Sequence, residues 1–185
     1  MSKVGFVLLI SSLASLTGCA GVVSLHPLAE PNGKETVFDP ALLGTWEELK
    51  TDSDGLRTRY TLARAGSGYS VIVAGPEKAK GTFHLMNAGG RSLLDVYYPS
   101  QEGILPVHLF FKLRLEKDTA WVAEMESDWL RDQIRSRGEL RHEVLAEDGD
   151  RVVLTASPAE LRRYLLPYAA DDRSFGEEIE LRRIK

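Results

Sequence analysis

The side chains with the types and spacing for chemistry are His84, Asp95 and His108, each on a stretch with strand-like alternation. Two imidazoles and a carboxylate make a general base or a metal site, provided their strands are neighbours. Otherwise they are hydrogen-bonded or water-facing side chains, and that plainer account is preferred. Glu124 and Glu126 share a strand face after Trp121 and read as solvated charge. Arg131, Arg135, Arg137 and Arg141 read as a wet face balanced by Glu143, Glu147 and Asp148. Other catalytic hardware is missing from the sequence: there is no phosphate loop with lysine and no nucleophile elbow. His142-Glu143 opens a zinc-helix pattern, but no second histidine completes it, and Gly66-Ser67-Gly68 reads as a turn. The expectation is no enzyme, no metal and no cofactor.

One residue stands apart. Cys19 is the only cysteine among 185 residues, so no internal disulfide and no multi-cysteine metal site can form. Before it come Lys3, an apolar run from Val4 to Ile10, and then Ser11 to Ser15. That run is too short to cross a bilayer of about 30 Å as a permanent helix and reads as a signal peptide. It ends in Leu16-Thr17-Gly18-Cys19, which resembles the lipobox of bacterial lipoproteins. The resemblance implies cleavage after residue 18, acylation of Cys19 and anchoring to a membrane. More than one acyl chain would hold firmly, because a single chain binds only marginally. Ala20, in place of an aspartate, resembles the outer-membrane sorting pattern, so the expected location is the periplasmic face of the outer membrane.

The chain has a net charge of -4 and is 43% hydrophobic, with 27% charged residues. An acidic balance argues against nucleic acid and against anionic lipid surfaces, both of which need a basic face. The length suits one domain after the leader is removed. Residues 19–39 contain Pro27, Pro31 and Gly33 without periodicity and read as a lipidated N-terminus and flexible tether. A coil of about twenty residues would span roughly 25 Å. The alternative is that Leu25 and Leu28, around His26-Pro27, dock on the open end of the domain.

From residue 40 onward the dominant period is two, the mark of half-buried antiparallel strands. Runs begin at Leu43, Thr58, Tyr69, Lys80, Leu93, Val107 and Trp121, with turns such as Gly66-Ser67-Gly68, Gly89-Gly90 and Lys117-Asp118 between several of them. Asp128 can cap a short helix through Ile134. Ser157-Pro158-Ala159-Glu160 is a capping box with proline at the first helical position. Residues 139–145 and 151–155 read as a hairpin about Asp148-Gly149, and residues 178–184 as a final strand. The expected class is mainly β: an antiparallel barrel over residues 40–185 with two short helices, one before the last strand.

At the start of the first long strand stands Leu43-Gly44-Thr45-Trp46. Gly44-x-Trp46 there resembles the first signature of lipocalins and related calycin barrels, although a plain core tryptophan would fit too. The resemblance implies that Gly44 lets the chain into the barrel base and Trp46 closes it. It also implies that an arginine near the chain's end, Arg182 or Arg183, packs over the tryptophan. As a whole the chain is similar to small bacterial lipoproteins of unknown function that carry such a barrel.

A barrel of about eight strands can hold one small ligand. Tyr60, Tyr69, Phe83, Tyr97, Phe111, Trp121 and Met125 stand on alternating positions and are the candidate lining. The expected function is a lipid-anchored envelope protein that binds or carries a small hydrophobic molecule. The alternative is a non-catalytic module with a filled core that docks an envelope protein complex.

Overall fold

The computed structural model describes residues 22–184 apart from 32, 52, 53, 77, 100–104, 139 and 146–150. The proposed leader, the Leu16-Thr17-Gly18-Cys19 motif and the Asp148-Gly149 turn lie outside the described residues. Twelve strands form: β1 (Val22–Ser24), β2 (Thr36–Val37), β3 (Gly44–Glu48), β4 (Arg59–Ala65), β5 (Gly68–Ala74), β6 (Ala79–Ala88), β7 (Arg91–Tyr98), β8 (Val107–Glu116), β9 (Thr119–Glu124), β10 (His142–Leu145), β11 (Arg151–Leu154) and β12 (Ile179–Ile184). Two helices join them, α1 (Ser127–Arg137) and α2 (Pro158–Leu165).

Strands β3 to β9 pair antiparallel in chain order, and β12 closes the ring between β9 and β3. The result is a closed antiparallel barrel of eight strands, as the alternation of the sequence leads one to expect. Closure removes the sheet edges that would otherwise invite further pairing. Strand β6 runs so close to the start of β5 that a Cβ on Gly68 would stand 2.5 Å from the Phe83 carbonyl oxygen, so only glycine fits there.

The base of the barrel is built by the residues around Gly-x-Trp. Gly44 has φ +118°, a conformation that other residues adopt only with strain, and a Cβ there would meet the Arg183 guanidinium at 3.1 Å. A single-turn 3-10 helix, Pro40–Leu42, is capped by Asp39 and drops Leu42 into the barrel. Trp46, 1% exposed, donates its indole N–H to the Leu42 carbonyl at 2.9 Å. Of the two arginines expected above it, Arg183 takes the place, its guanidinium 4.2 Å from the ring centroid. Arg183 also donates to the Leu43 carbonyl at 2.6 Å, to the Ala41 carbonyl, and to Asp118 at 3.0 Å. Beside this clamp Tyr69 stacks between Phe38 and Phe83, at 4.9 and 4.5 Å.

The molecule has two apolar cores. One lines the inside of the barrel. The other lies outside it, where Met86, Leu93, Phe110 and Ala123 on the outer faces of β6 to β9 meet α1 and α2. Helix α1 buries Leu130 and Ile134, and α2 buries Leu161, Tyr164 and Leu165. The capping box of α2 forms as read, with Glu160 reaching back to the Ser157 amide at 2.8 Å. Helix α1 is capped by Glu126, two residues before the expected Asp128, and ends at Gly138 in the left-handed conformation. Strands β10 and β11 pair as the expected hairpin, and β11 carries β1 parallel to it.

The tether expectation needs correction for residues 22–39. Val22 to Ser24 pair with β11 and touch β8, Leu28 and Ala29 are buried, and Thr36–Val37 pair with β6. Docking therefore occurs, but on the outer wall instead of the open end, and Leu28 enters it while Leu25 stays exposed. The polar, proline-containing stretch hides its three apolar anchors between turn residues, so no period betrays them.

A chain from residue 20 contains every strand, helix and core residue named above for the described residues. We predict that Arg183→Ala lowers stability by about 2–3 kcal/mol, from the lost cation–π contact and charged hydrogen bonds. Thermal unfolding should show a midpoint roughly 5–10 °C lower. Arg183→Lys should recover little of it, because an ammonium cannot span both carbonyls and the ring.

Candidate barrel-cavity site

Inside the barrel, above the Trp46 base, lies a cavity of about 120 Å³. Its walls come from every barrel strand and are almost wholly apolar, with Trp46, Phe83, Val96, Phe111, Val122 and Leu181 among them. Apolar cavities of this order stay dry and accept small apolar guests. The pleat decides which residues face it: Leu94, Val96 and Tyr98 on β7, Ala120 and Val122 on β9.

The end away from the base is polar. Glu48 at the end of β3 accepts a hydrogen bond from the Tyr60 hydroxyl of β4. Tyr98 at the end of β7 lies close to Glu124 at the end of β9, whose charge adds to burial in pushing the Tyr98 phenol up to about 12. Burial first, and then the Glu48 bond and the charges of Glu48 and Tyr98, raise the Tyr60 phenol strongly. Burial also raises Glu48, against the lowering effect of the Tyr60 bond. Glu124 is pushed up to about 7, mainly by burial and further by the charge of Glu126. Two carboxyls and two phenols thus ring the far end of an apolar well.

The seven candidate lining residues divide. Tyr60, Phe83 and Phe111 line the cavity. Tyr69 faces inward but is spent on the base, donating to the Asp39 carbonyl at 3.0 Å and accepting from its amide at 2.6 Å. Tyr97, Trp121 and Met125 are outside: Tyr97 packs on the His108 ring at 5.0 Å, Trp121 lies under Arg114 at 3.6 Å, and Met125 joins the outer core. The reason is physical. The outer wall of β6 to β9 buries apolar residues such as Met86, Leu93, Phe110 and Ala123 beside its polar ones, so alternation does not mark the inner face, and the bulkier residue of each pair is not always the inner one. The adjacent Tyr98 and Val122 hold the inward positions, and the signal for them was the unbroken set Leu94, Val96, Tyr98.

Glu124 also departs from expectation. Instead of a solvated pair with Glu126, it turns into the barrel, while Glu126 caps α1 through a bond from the Asp128 amide at 3.3 Å. Arg141 pairs at 2.5 Å with Glu160, and Arg131 pairs with Asp128.

His84, Asp95 and His108 do stand on adjacent strands on the outer wall of the barrel, His84 directly opposite Asp95 and His108, opposite Tyr97, on the diagonal. Asp95, 1% exposed, holds His108 Nδ1 at 2.6 Å with one oxygen and the Ala29 amide at 2.8 Å with the other. Burial lowers the His84 pKa, with Asp95 opposing the shift. Among the described residues no three such side chains are arranged to hold a metal ion. The pair's visible task is to pin the N-terminal segment over β7 and β8.

Comparison with known proteins gives no match: no family model, no curated protein and no solved structure is similar to this chain. Geometry alone must carry the functional argument.

The raised Glu124 pKa has a sign. Its ordinary value of 4.5 applies in the unfolded chain, so ionising it costs more in the folded state, and the penalty is absent below about 4.5 and complete above about 7. Glu124→Gln should therefore be more stable than the parent chain at pH 8, by about 1–3 kcal/mol, with the gain vanishing near pH 4. Urea unfolding at the two pH values measures this.

Proposed function

We propose that this chain is a lipid-anchored lipoprotein of the bacterial envelope whose barrel binds or carries a small hydrophobic molecule. The observation that carries the reading is the apolar cavity inside a closed, well-based barrel. Proteins pack their interiors densely, and a void of this size forgoes contacts that side chains could make, so its retention calls for a function. The same cavity speaks against the filled core that a purely protein-docking module would have.

The anchor supports the location. Cys19, after Leu16-Thr17-Gly18, is acylated in this reading, and the carrier faces the periplasm from the outer membrane. Only Ala20 and Gly21 separate the cysteine from β1, which is fixed to the body, so the barrel rides against its membrane instead of floating on a long leash. Two further residues reach at most about 7 Å. Such a carrier would collect its ligand at the membrane surface. The Gly44, Trp46 and Arg183 base supports kinship with lipocalin-like barrels, which is a likeness of construction and not of ligand.

Two measurements test the proposal. Calorimetric titration of residues 20–185 with octan-1-ol should show saturable one-to-one binding. Val122→Phe or Val71→Phe, each filling the cavity, should weaken it at least tenfold while leaving the fold intact. Equal binding by the folded variants, or none by the parent, contradicts the cavity site. In a Gram-negative host the full chain should incorporate labelled palmitate and sediment with outer membranes, and Cys19→Ser should abolish both.

A further inference from the structure

Resting on the reading of the cavity as a ligand site, we propose that its ligand carries a hydrogen-bond-donating head group, best a protonated amine, which sits against Glu48 and Glu124 with its apolar body in the barrel. The argument is one of which polar groups face the well and which do not. By the two-residue pleat Glu48 follows Trp46 on β3, and Glu124 follows Ala120 and Val122 on β9, so both carboxyls stand on the cavity face at the far rim, on strands separated by β12, with Tyr60 and Tyr98 on the cavity face of β4 and β7. An ionised carboxylate only accepts hydrogen bonds, the Tyr60 hydroxyl already donates its own to Glu48, and the Tyr98 hydroxyl can accept as well as donate. Among the described residues nothing donates a hydrogen bond to the Glu124 carboxyl.

The cations are elsewhere. Arg64 and Arg183, the two arginines in inward register, lie at the opposite end, stacked on Phe38 and Trp46. At the far rim Lys50 is tied to Glu177 and largely exposed to solvent, and Arg57 and Arg59 are both paired with Glu47, which faces away from the cavity. Among the described residues no lysine or arginine lines the cavity. A fatty-acid carboxylate entering this well would bring a third negative group to two desolvated carboxyls with no counter-ion, an unfavourable arrangement. A protonated amine would neutralise the charge and find several acceptors. The burial that makes Glu124 costly to ionise in the empty barrel is relieved when a cation arrives beside it, so that binding and ionisation favour each other.

The test compares three molecules with the same eight-carbon body. Octylamine, octan-1-ol and sodium octanoate are titrated calorimetrically into residues 20–185 at pH 8. Octylamine should bind at least tenfold more tightly than octanoate, with octan-1-ol between them. Glu124→Gln should shrink the gap between octylamine and octanoate several-fold. Glu48→Gln serves as the second variant, with the same expected direction. Octanoate matching or exceeding octylamine, with octan-1-ol still bound, overturns the head-group inference and leaves the cavity reading standing. Failure of all three to bind overturns both.

Discussion

The Arg183 guanidinium lies on the Trp46 ring while its nitrogens hold the carbonyls of Ala41 and Leu43, and this clamp joins the two ends of the barrel's own chain. β12 arrives last, after two helices and a hairpin, and must find the gap between β9 and β3. Pairing alone would close the ring. The clamp adds direction, because it binds the final strand to the first barrel strand and to the helical turn that plugs the base at once. Gly44 is what lets the chain turn tightly enough to receive the arginine. With the base sealed by Leu42, Trp46 and Tyr69, the space above it need not be filled to keep the strands apart.

A second constraint explains the outside of the molecule. Strands β6 to β9 carry large apolar residues on their outer face as well, Met86, Leu93 and Phe110 among them, and these need cover from water. The helices, the β10–β11 hairpin and the N-terminal segment cover that wall, and the buried Asp95 fixes the segment through the Ala29 amide. Removing one partner from a buried charge of this kind costs more than the contact itself contributes. The wall thereby holds the N-terminal segment against the barrel, so an anchor at Cys19, as proposed, would lie within a few residues of the barrel's outer wall.

Much of this was legible in the sequence. The period of two from Leu43 onward, the Ser157 capping box and the Gly44-x-Trp46 pattern gave the barrel, the helix before the last strand and the base, because each is a local rule that the tertiary fold obeys. The inside of the barrel was half legible. Where a strand has water on one side, as in β4, alternation identifies the inner residue, and Tyr60 was found. Where both sides are buried, as in β7 and β9, the pattern has no polar face to fix its phase, and Tyr97 and Trp121 were preferred to Tyr98 and Val122. Glu124 escaped notice because a glutamate on a strand is ordinarily solvated. Residues 22–39 were read as slack because isolated anchors such as Leu28 leave no periodic trace.

The central claim is that the barrel encloses a site for an apolar molecule instead of a finished core. Native mass spectrometry of residues 20–185, recovered from a bacterial periplasm without detergent, addresses it most directly. The account predicts one equivalent of a bound apolar molecule, missing from the Val122→Phe variant. A bare protein mass, unchanged after incubation with envelope lipid extract, would contradict it.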